Sequence, residues 1–517
     1  MVNESRTAKS IHNIKIALLF YFFNLILQFF SRKIFLDYLG SEVLGLNTTA
    51  QNLLGFLNIA ELGIGNAIAY NLYKPLYDKN HKDLNEIVSI QGWLYRRVAY
   101  IVIIGSCLLM CLFPLIFAKA QIPLWYAYGS FLTLLASSLL SYFINYQQIV
   151  LSADQKDYKI TANVQGVKII KLLLQILAIR FLDNGYVWWM ILEVVMACVT
   201  SYTLNISIQK EYPWLHPQIS KGKYLQKLHP RIISDTKKIF FHKIAGFVLG
   251  QTSPLIIYAY ASLTLVAIYG NYMLIITGIT SLLTALLNNL TAGVGNLIAT
   301  GDKNRIKNVF WEITASRIWI AATICFALYT LGDKFITIWV GSQYILPHTP
   351  FIILIGITFI SLSRTNDAFI AGYGLFQDIW APIAESILNL GLSILLGYYW
   401  GLTGILCGVL CSLLLIVYIW KPYFLYRKGF KESIMEYVLH YAKYLSVLLI
   451  SFFISNIIIS QSSYTIDSYT QWFIYAIIVT LLYAIISFTL LFLTDKAPRR
   501  LLKRLYNFVS FQNWRID

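Results

Sequence analysis

The sequence predicts an all-α polytopic membrane protein, and three observations support that fold class. Of the 517 residues, 58% are hydrophobic and only 13% are Asp, Glu, Lys or Arg, about half the charged share of a soluble globular protein. Apolar runs of about 20 residues, the length that a helix needs to cross the hydrocarbon core, recur along the whole chain. These runs are too long and too uniformly apolar for barrel strands, so we expect helices.

About fourteen apolar runs are candidate transmembrane helices. They cover roughly 13–35, 43–65, 93–117, 123–150, 160–181, 185–207, 238–260, 265–298, 309–331, 348–373, 378–399, 402–424, 437–459 and 470–494. The first run is long enough to remain as a span, so no cleavable signal is expected.

The positive charge is distributed in a way that predicts topology. Lys and Arg number 41 against 24 Asp and Glu, a formal net charge of +17. They cluster at the N-terminus, in alternate loops and in the tail after Leu493. This positive-inside pattern places both termini and the even-to-odd loops in the cytoplasm. Most of the charge then serves topology and contact with anionic membrane lipids, which leaves no basic module for nucleic acid.

A repeated phrase predicts the domain organisation. LGIGNAIAYNLYKPLYDKN (62–80) and AGVGNLIATGDKN (292–304) share G-x-G-N-x-I-A followed by Asp-Lys-Asn, each at the inner end of the second span of a six-span half. We therefore predict two pseudo-symmetric six-helix lobes, 1–208 and 238–425, joined by a basic cytoplasmic linker, 209–237. Residues 426–517 add spans 13 and 14 and a basic cytoplasmic tail. The alternative is that the phrase marks the end of a helix in each place and that the two halves have no common ancestor.

Charged and polar residues within the spans predict a binding cavity. Polar side chains recur at helical spacing on several spans, and together they predict a water-filled cavity between the lobes. The alternative for any single Ser, Thr or Asn is an ordinary helix–helix hydrogen bond. Each charge at mid-bilayer costs about 2.5–3.5 kcal/mol, so charges there are expected to have a function. Cations outnumber acids, which predicts an anionic partner from outside the chain. The cations are Arg32, Lys33, Lys168, Lys171, Lys243, Arg317 and Arg364, and the acids are Glu61, Glu193 and Glu385. The alternative for each cation, Lys33 and Arg317 above all, is snorkelling to a membrane interface.

Two quoted segments carry a family resemblance. SRKIFLDYLGSEVLGLN (31–47) and ELGIGNAIAYNLYKPL (61–76) resemble the opening of the polysaccharide repeat-unit flippases, the O-antigen and capsule transporters of the multidrug/oligosaccharidyl-lipid/polysaccharide exporter superfamily. The resemblance implies an alternating-access flippase that moves an undecaprenyl-pyrophosphate-linked oligosaccharide from the cytoplasmic to the outer leaflet of the bacterial inner membrane. It also implies polysaccharide polymerase machinery as a partner.

Site residues follow from combining that resemblance with the intramembrane charges. We predict that pyrophosphate and sugar are bound by Arg32, Lys168, Lys171, Lys243, Arg364, Asn24, Gln28, Asn47 and Gln51. Glu61, Glu193 and Glu385 are candidates for coupling transport to H⁺ or Na⁺, with neutralisation of a neighbouring cation as the alternative role.

Two other functions compete with this prediction. A multidrug/toxin exporter of the same superfamily would prefer an acidic cavity for its mostly cationic substrates. A membrane-embedded oligosaccharide polymerase or ligase would need a large outward loop, and every predicted outward loop is short. The sequence has no P-loop and no metal-ligand spacing, so we predict no enzyme activity, no nucleotide and no cofactor apart from a coupling ion.

Overall fold

The computed structural model of the protein describes residues 6–375, 380–461, 466 and 468–513. Within its helices, the side chains of residues 6–15, 17–18, 238, 241–252, 282, 284–293, 296, 299 and 505–513 are not described. All regular elements of the described residues are helical, because lipid offers backbone groups no partner outside the chain. The chain divides into two units, Met1–Ala267 and Ile268–Asp517.

Unit 1 is built from long apolar helices joined by short turns. Its helices are α1 (Arg6–Leu57), α2 (Ile64–Tyr77), α3 (His81–Cys111), α4 (Phe113–Ile116), α5 (Leu124–Phe143), α6 (Ile149–Ala153), α7 (Asp157–Phe181), α8 (Gly185–Glu211), α9 (Gly222–Leu228) and α10 (Pro230–Tyr260). α1 packs along α7, α7 packs along α8, and α5 packs on both α1 and α8. These four helices form the bundle that positions most of the predicted site residues of this unit.

Two helices of unit 1 are interrupted. Within α1, Gly40 has φ +84° and ψ 168°, a left-handed φ that favours glycine, and this residue separates predicted spans 1 and 2. α5 ends at Phe143, and the chain continues through a 3₁₀ turn, Asn145–Gln148, into α6 at an angle of 58°. The fourth predicted span is therefore a broken helix.

The predicted linker, 209–237, lies against α3. The Asn85 side chain donates to the Trp214 carbonyl at 3.2 Å and accepts from the His216 amide at 2.6 Å. His229 Nε2 lies 2.9 Å from Glu86 Oε2. The basic segment is thus fixed to the first unit by side-chain contacts along its length.

Unit 2 begins within α11 (Leu263–Ala299). Its other helices are α12 (Lys303–Trp339), α13 (His348–Leu362), α14 (Asn366–Gly372), α15 (Trp380–Leu413), α16 (Lys421–Phe424), α17 (Ile434–Ser460), α18 (Tyr469–Thr494) and α19 (Lys496–Asn513), with π-helical turns at Leu414–Trp420 and Leu425–Phe430. Aromatic rings dominate its core; Phe310 packs edge-on against Phe369, Tyr426 and Phe430. Gly401, with φ +54°, interrupts α15 between predicted spans 11 and 12.

Ten of the described helices are long and apolar enough to cross a membrane, or eleven if the bent α5–α6 pair is one span. Two of the ten stretches, Leu19–Glu61 and Trp380–Phe430, each hold two predicted spans separated by an interrupting glycine. All fourteen predicted spans fall largely on helices, but the count of fourteen transmembrane helices stays a prediction.

The two copies of the repeated phrase have different structures. In the first copy, a 3₁₀ turn (Asn58–Glu61) is followed by Gly63 with φ +92°, and α2 starts after it. In the second copy, the phrase continues the helix α11 to Ala299. Both copies then end in the same local structure. In the first copy Lys79 has positive φ and the next residue, Asn80, caps α3 with its side chain. In the second copy Gly301 has positive φ and Asp302 caps α12.

Candidate functional site

Unit 1 contains a polar cavity of about 210 Å³ between α5, the 3₁₀ turn after it, α7 and α8. Its polar lining consists of Ser137, Ser141, Asn145, Lys168, Lys171, Glu193 and Thr200. The helix break at Phe143 ends the α-helix next to Asn145, which turns this amide into the cavity wall. Two residues that the sequence predicts to bind substrate, Lys168 and Lys171, are therefore brought together here.

The two lysines of this cavity differ in their partners. Lys171 Nζ lies 2.6 Å from Glu193 Oε1, and Gln175 Nε2 donates to Glu193 Oε2 at 3.0 Å. Lys168 has no carboxylate partner among the side chains that the structure describes. Both lysines are only half-buried. The cavity therefore holds two ammonium groups and one carboxylate, which leaves it one positive charge in excess.

A buried acceptor in the same cavity also lacks a protein partner. Asn145 is 9% exposed, and its Oδ1 atom accepts no hydrogen bond from any described residue. Buried amide oxygens are nearly always satisfied by protein, water or ligand. Together with the hydroxyls of Ser137, Ser141 and Thr200, this acceptor suits a ligand that carries both an anion and hydroxyl groups.

The α1 residues of the predicted site lie on the helix that packs against α7. Arg32 Nη2 donates to the Ala267 carbonyl at 3.0 Å. Asn24 is buried and donates to the Phe20 carbonyl at 2.9 Å, while its Oδ1 atom is unsatisfied within the described chain. Gln28 is half-buried between them. These three residues thus lie on one helix, but they are not among the residues that line the cavity.

Asn47 and Gln51 have unlike surroundings. Asn47 is buried, and its Oδ1 accepts hydrogen bonds from Ser130 at 2.5 Å and Tyr186 at 2.7 Å. These bonds join α1, α5 and α8. Gln51 is exposed. Asn47 therefore connects helices within the packed bundle, and Gln51 remains accessible.

Glu61 forms a separate polar cluster at the end of the 3₁₀ turn. Tyr95 donates to Glu61 Oε1 at 3.1 Å, and Tyr142 donates to the neighbouring Asn58 at 2.9 Å. Among described side chains, no cation pairs with Glu61. Lys243 lies in the part of α10 whose side chains are outside the described residues. Of the three candidate coupling acids, Glu61 is the one that the described chain leaves without a cation.

Unit 2 breaks its corresponding helix too, between Leu362 and Asn366, and Arg364 lies in that break. Arg364 Nε is 3.1 Å from Asp367 Oδ2, and its Nη2 is 3.8 Å from Glu385 Oε1. Lys421 Nζ is 2.5 Å from Asp367 Oδ1. Arg317 donates to the Arg364 carbonyl. In this cluster each basic side chain has an acceptor within unit 2.

Sequence reasoning missed two members of this cluster. Asp367 and Lys421 both lie inside predicted spans, at 348–373 and 402–424, so their positions were a usable signal. Asp37 was also missed; it lies between the first two predicted spans and pairs with Lys33 at 3.6 Å. With Lys421, Asp37 and Asp367 added, the count becomes eight cations against five acids, so the excess falls from four to three.

No known protein family and no curated protein matches the sequence. Several solved structures are similar over most of the chain, including a flippase and a multidrug transporter. The lipid II flippase MurJ, in an inward closed conformation, has a TM-score of 0.62 at 14% identity and covers 92% of this chain and 98% of its own. A multidrug resistance MATE family transporter of the MOP superfamily, inward-facing, has a TM-score of 0.60 at 12% identity and covers 81% and 99%.

The chain shares the fold of these two structures, the second of which is a transporter of the MOP superfamily. The predicted all-α polytopic membrane class is thereby confirmed. A lipid II flippase and a multidrug resistance transporter match this chain about equally well, and at such identities the likeness concerns the fold alone. The cargo must be argued from this chain's own cavity.

Proposed function

We propose that the protein is an alternating-access flippase for an undecaprenyl-pyrophosphate-linked oligosaccharide repeat unit, in the assembly of O-antigen, capsule or exopolysaccharide. The observation that carries the proposal is the cavity of unit 1, where Lys168 adds positive charge beyond the Lys171–Glu193 pair. A pyrophosphate that links a lipid to a sugar is a dianion, and ammonium groups hold it through charge-assisted hydrogen bonds. The surrounding hydroxyls and the Asn145 amide suit sugar hydroxyls.

The MOP fold supports this proposal through its transport mechanism. A flippase of this kind exposes one binding site first to the cytoplasm and then to the outside, which needs two conformations that bind the cargo differently. One structural neighbour is named a lipid II flippase, and a lipid-linked cargo here belongs to the same chemical class. We place the protein in the bacterial inner membrane with both termini cytoplasmic, as the positive-inside pattern predicts.

Coupling to H⁺ or Na⁺ is assigned to Glu61 rather than to the other two acids. Glu193 and Glu385 face Lys171 and Arg364 respectively, so each neutralises a cation. Glu61 receives a tyrosine hydroxyl and faces no described cation. A carboxylate in that setting can take up a proton or sodium ion without first breaking an ion pair.

A multidrug exporter is the second candidate, because a MATE transporter is nearly as similar in fold as the flippase. Cationic drugs would be repelled by Lys168 and would find Glu193 already paired. The charge of the cavity therefore favours an anionic cargo.

Gene deletion tests the proposal. We expect one lipid-linked oligosaccharide to accumulate on the cytoplasmic side, and wild-type protein to clear it. Lys168→Glu should fail to clear it although the variant inserts normally. Lys223→Glu, a charge reversal on the exposed surface of α9, serves as the matched control. Absence of any such lipid, with raised sensitivity to cationic drugs, would favour the exporter.

A further inference from the structure

The C-terminal helix closes an apolar groove of unit 2. The groove has a volume of about 580 Å³, within the range of ligand pockets, and lies between α12, α18 and α19. Trp319, Ile320, Leu481, Ile485, Phe488 and Leu502 are among its lining residues. It extends along the C-terminal half of α18, from Leu481 to Leu491, the half that the predicted topology puts on the cytoplasmic side.

The wall that α19 contributes is fixed to the rest of unit 2. Asp495, between α18 and α19, receives hydrogen bonds from the Ala497 amide at 2.8 Å and from Lys443 at 3.0 Å, and lies 3.2 Å from His440. Arg504 pairs with the buried Glu312 of α12 at 3.3 Å. The groove is therefore a built feature with charged contacts at both ends of its α19 wall.

The charges of α19 are arranged on two sides of its apolar face. Pro498, Leu501 and Leu502 line the groove. One flank carries Arg500 and Arg504, which bind Asn308 and Glu312 of α12. The i,i+4 pair on the opposite flank is Arg499 and Lys503.

The flank that carries Arg499 and Lys503 has unused hydrogen-bond donors. Arg499 uses Nε and Nη2 on the Phe492 and Leu493 carbonyls. Lys503 is exposed, and no described residue pairs with it. The segment Lys496–Asn513 contains no acidic residue. An apolar groove bordered by unneutralised cations complements a molecule with a hydrocarbon chain and an anionic head.

We propose that this groove binds an anionic glycerophospholipid of the surrounding bilayer, with an acyl chain in the groove and the phosphate at Arg499 and Lys503. The apolar lining excludes a free phosphate ion. The cations of α19 favour an anionic lipid over a zwitterionic one, because each Lys or Arg near a membrane surface attracts anionic lipid. The site is separate from the cavity of unit 1 and stands whether or not the proposed transport function is correct.

Native mass spectrometry of the full-length chain tests the proposal. The delipidated protein is offered equal amounts of phosphatidylglycerol and phosphatidylcholine in mixed micelles, and we expect one phosphatidylglycerol to be retained preferentially. At about fivefold for each cation, Lys503→Gln should weaken retention about fivefold and the Arg499→Gln/Lys503→Gln double variant about 25-fold. Lys223→Gln/Lys227→Gln, an exposed i,i+4 pair on α9, should retain the lipid.

A second variant separates the groove from its rim. Ala484 lines the groove, and Ala484→Phe should abolish retention while every cation stays in place. Equal retention of the two lipids, or full retention in both the Lys503 and Ala484 variants, would overturn the proposal. Displacement of phosphatidylglycerol by a polyprenyl phosphate at equal concentration would also overturn it, since the groove would then belong to the carrier lipid.

Discussion

The two units treat intramembrane charge differently. In unit 1, Lys168 and Lys171 border an open polar cavity whose one carboxylate, Glu193, is paired with Lys171. In unit 2, Arg364 and Lys421 are paired with Asp367 and Glu385, and at the helix break the Ser363 hydroxyl bonds to that of Tyr418 at 2.8 Å. Both arrangements surround a break in the same predicted helix, the fourth of each half.

This difference indicates that the charged cluster of unit 2 stabilises the fold and that the cavity of unit 1 binds a ligand. A closed charge network holds a non-helical segment at membrane depth, where unsatisfied backbone groups are costly. An open network with excess positive charge costs stability and is retained where a ligand supplies the missing anion. We therefore expect substitutions in the unit 2 cluster to reduce stability first, and substitutions in the unit 1 cavity to reduce transport first.

The largest stability effect is expected at Asp367, the carboxylate shared by two cations. Asp367→Asn should leave Arg364 and Lys421 without a full countercharge and reduce the stability of unit 2 by about 2–3 kcal/mol. Thermal unfolding of the purified chain in detergent measures the change.

Asp37→Asn is the matched control, because Asp37 is about as exposed as Asp367 but pairs with Lys33 at 3.6 Å, whereas Asp367 lies within 3.1 Å of two cations. Removing such a pair should cost less than about 0.5 kcal/mol. Equal losses at the two positions would break the proposed contrast between the units.

The repeated phrase offers a second comparison. An alanine Cβ at Gly63 would lie 2.9 Å from the Thr236 carbonyl oxygen and from the Phe240 amide nitrogen, and its φ of +92° is unfavourable for alanine. Gly63→Ala should therefore cost about 2 kcal/mol. At Gly295, which aligns with Gly65 and lies in the helical copy, an added Cβ would have no described atom within 4 Å, so Gly295→Ala should be neutral or stabilising. The melting temperatures of the two variants give the sign directly.

The smallest effect is expected at the contact that holds α19. Burial favours a raised pKa for Asp495, but hydrogen bonds from His440, Ala497 and Lys443 outweigh it and hold the pKa well below its ordinary value. A depressed carboxyl pKa contributes stability that is complete above about pH 4 and is lost as the pH falls through the folded-state value.

Asp495→Asn should therefore cost about 1.5 kcal/mol at pH 7, and the difference from wild type should stay constant down to about pH 5. Unfolding curves at pH 7 and pH 5 check this. A difference that disappears by pH 5 would mean that Asp495 is already protonated there.

Much of the architecture could be predicted from the sequence because hydrophobicity and length alone define a spanning helix. The breaks at Phe143 and Leu362 could not, since neither contains proline or glycine and each depends on tertiary partners such as Tyr418. The repeated phrase shows the same limit, because Gly63 and its counterpart share letters but differ in backbone.

The residue types of the candidate site could be predicted from the sequence, but which of those residues lie together in space could not. Helical spacing placed Lys168 and Lys171 on one stripe, and the structure adds Glu193 from another helix. Asn47 was predicted to touch sugar, yet Ser130 and Tyr186 bind it from two other helices. Which polar atoms meet across helices depends on packing, and a single sequence does not show it.

The central claim is that Lys168 supplies positive charge that only a bound anion balances. The most direct measurement is the transport of a lipid-linked pyrophosphoryl oligosaccharide into proteoliposomes by wild type, Lys168→Gln and the surface control Lys223→Gln. We predict a loss of about tenfold or more for Lys168→Gln, the cost of a charge-assisted hydrogen bond, with an unchanged melting temperature and an unaffected control. Equal transport by wild type and Lys168→Gln would contradict the account.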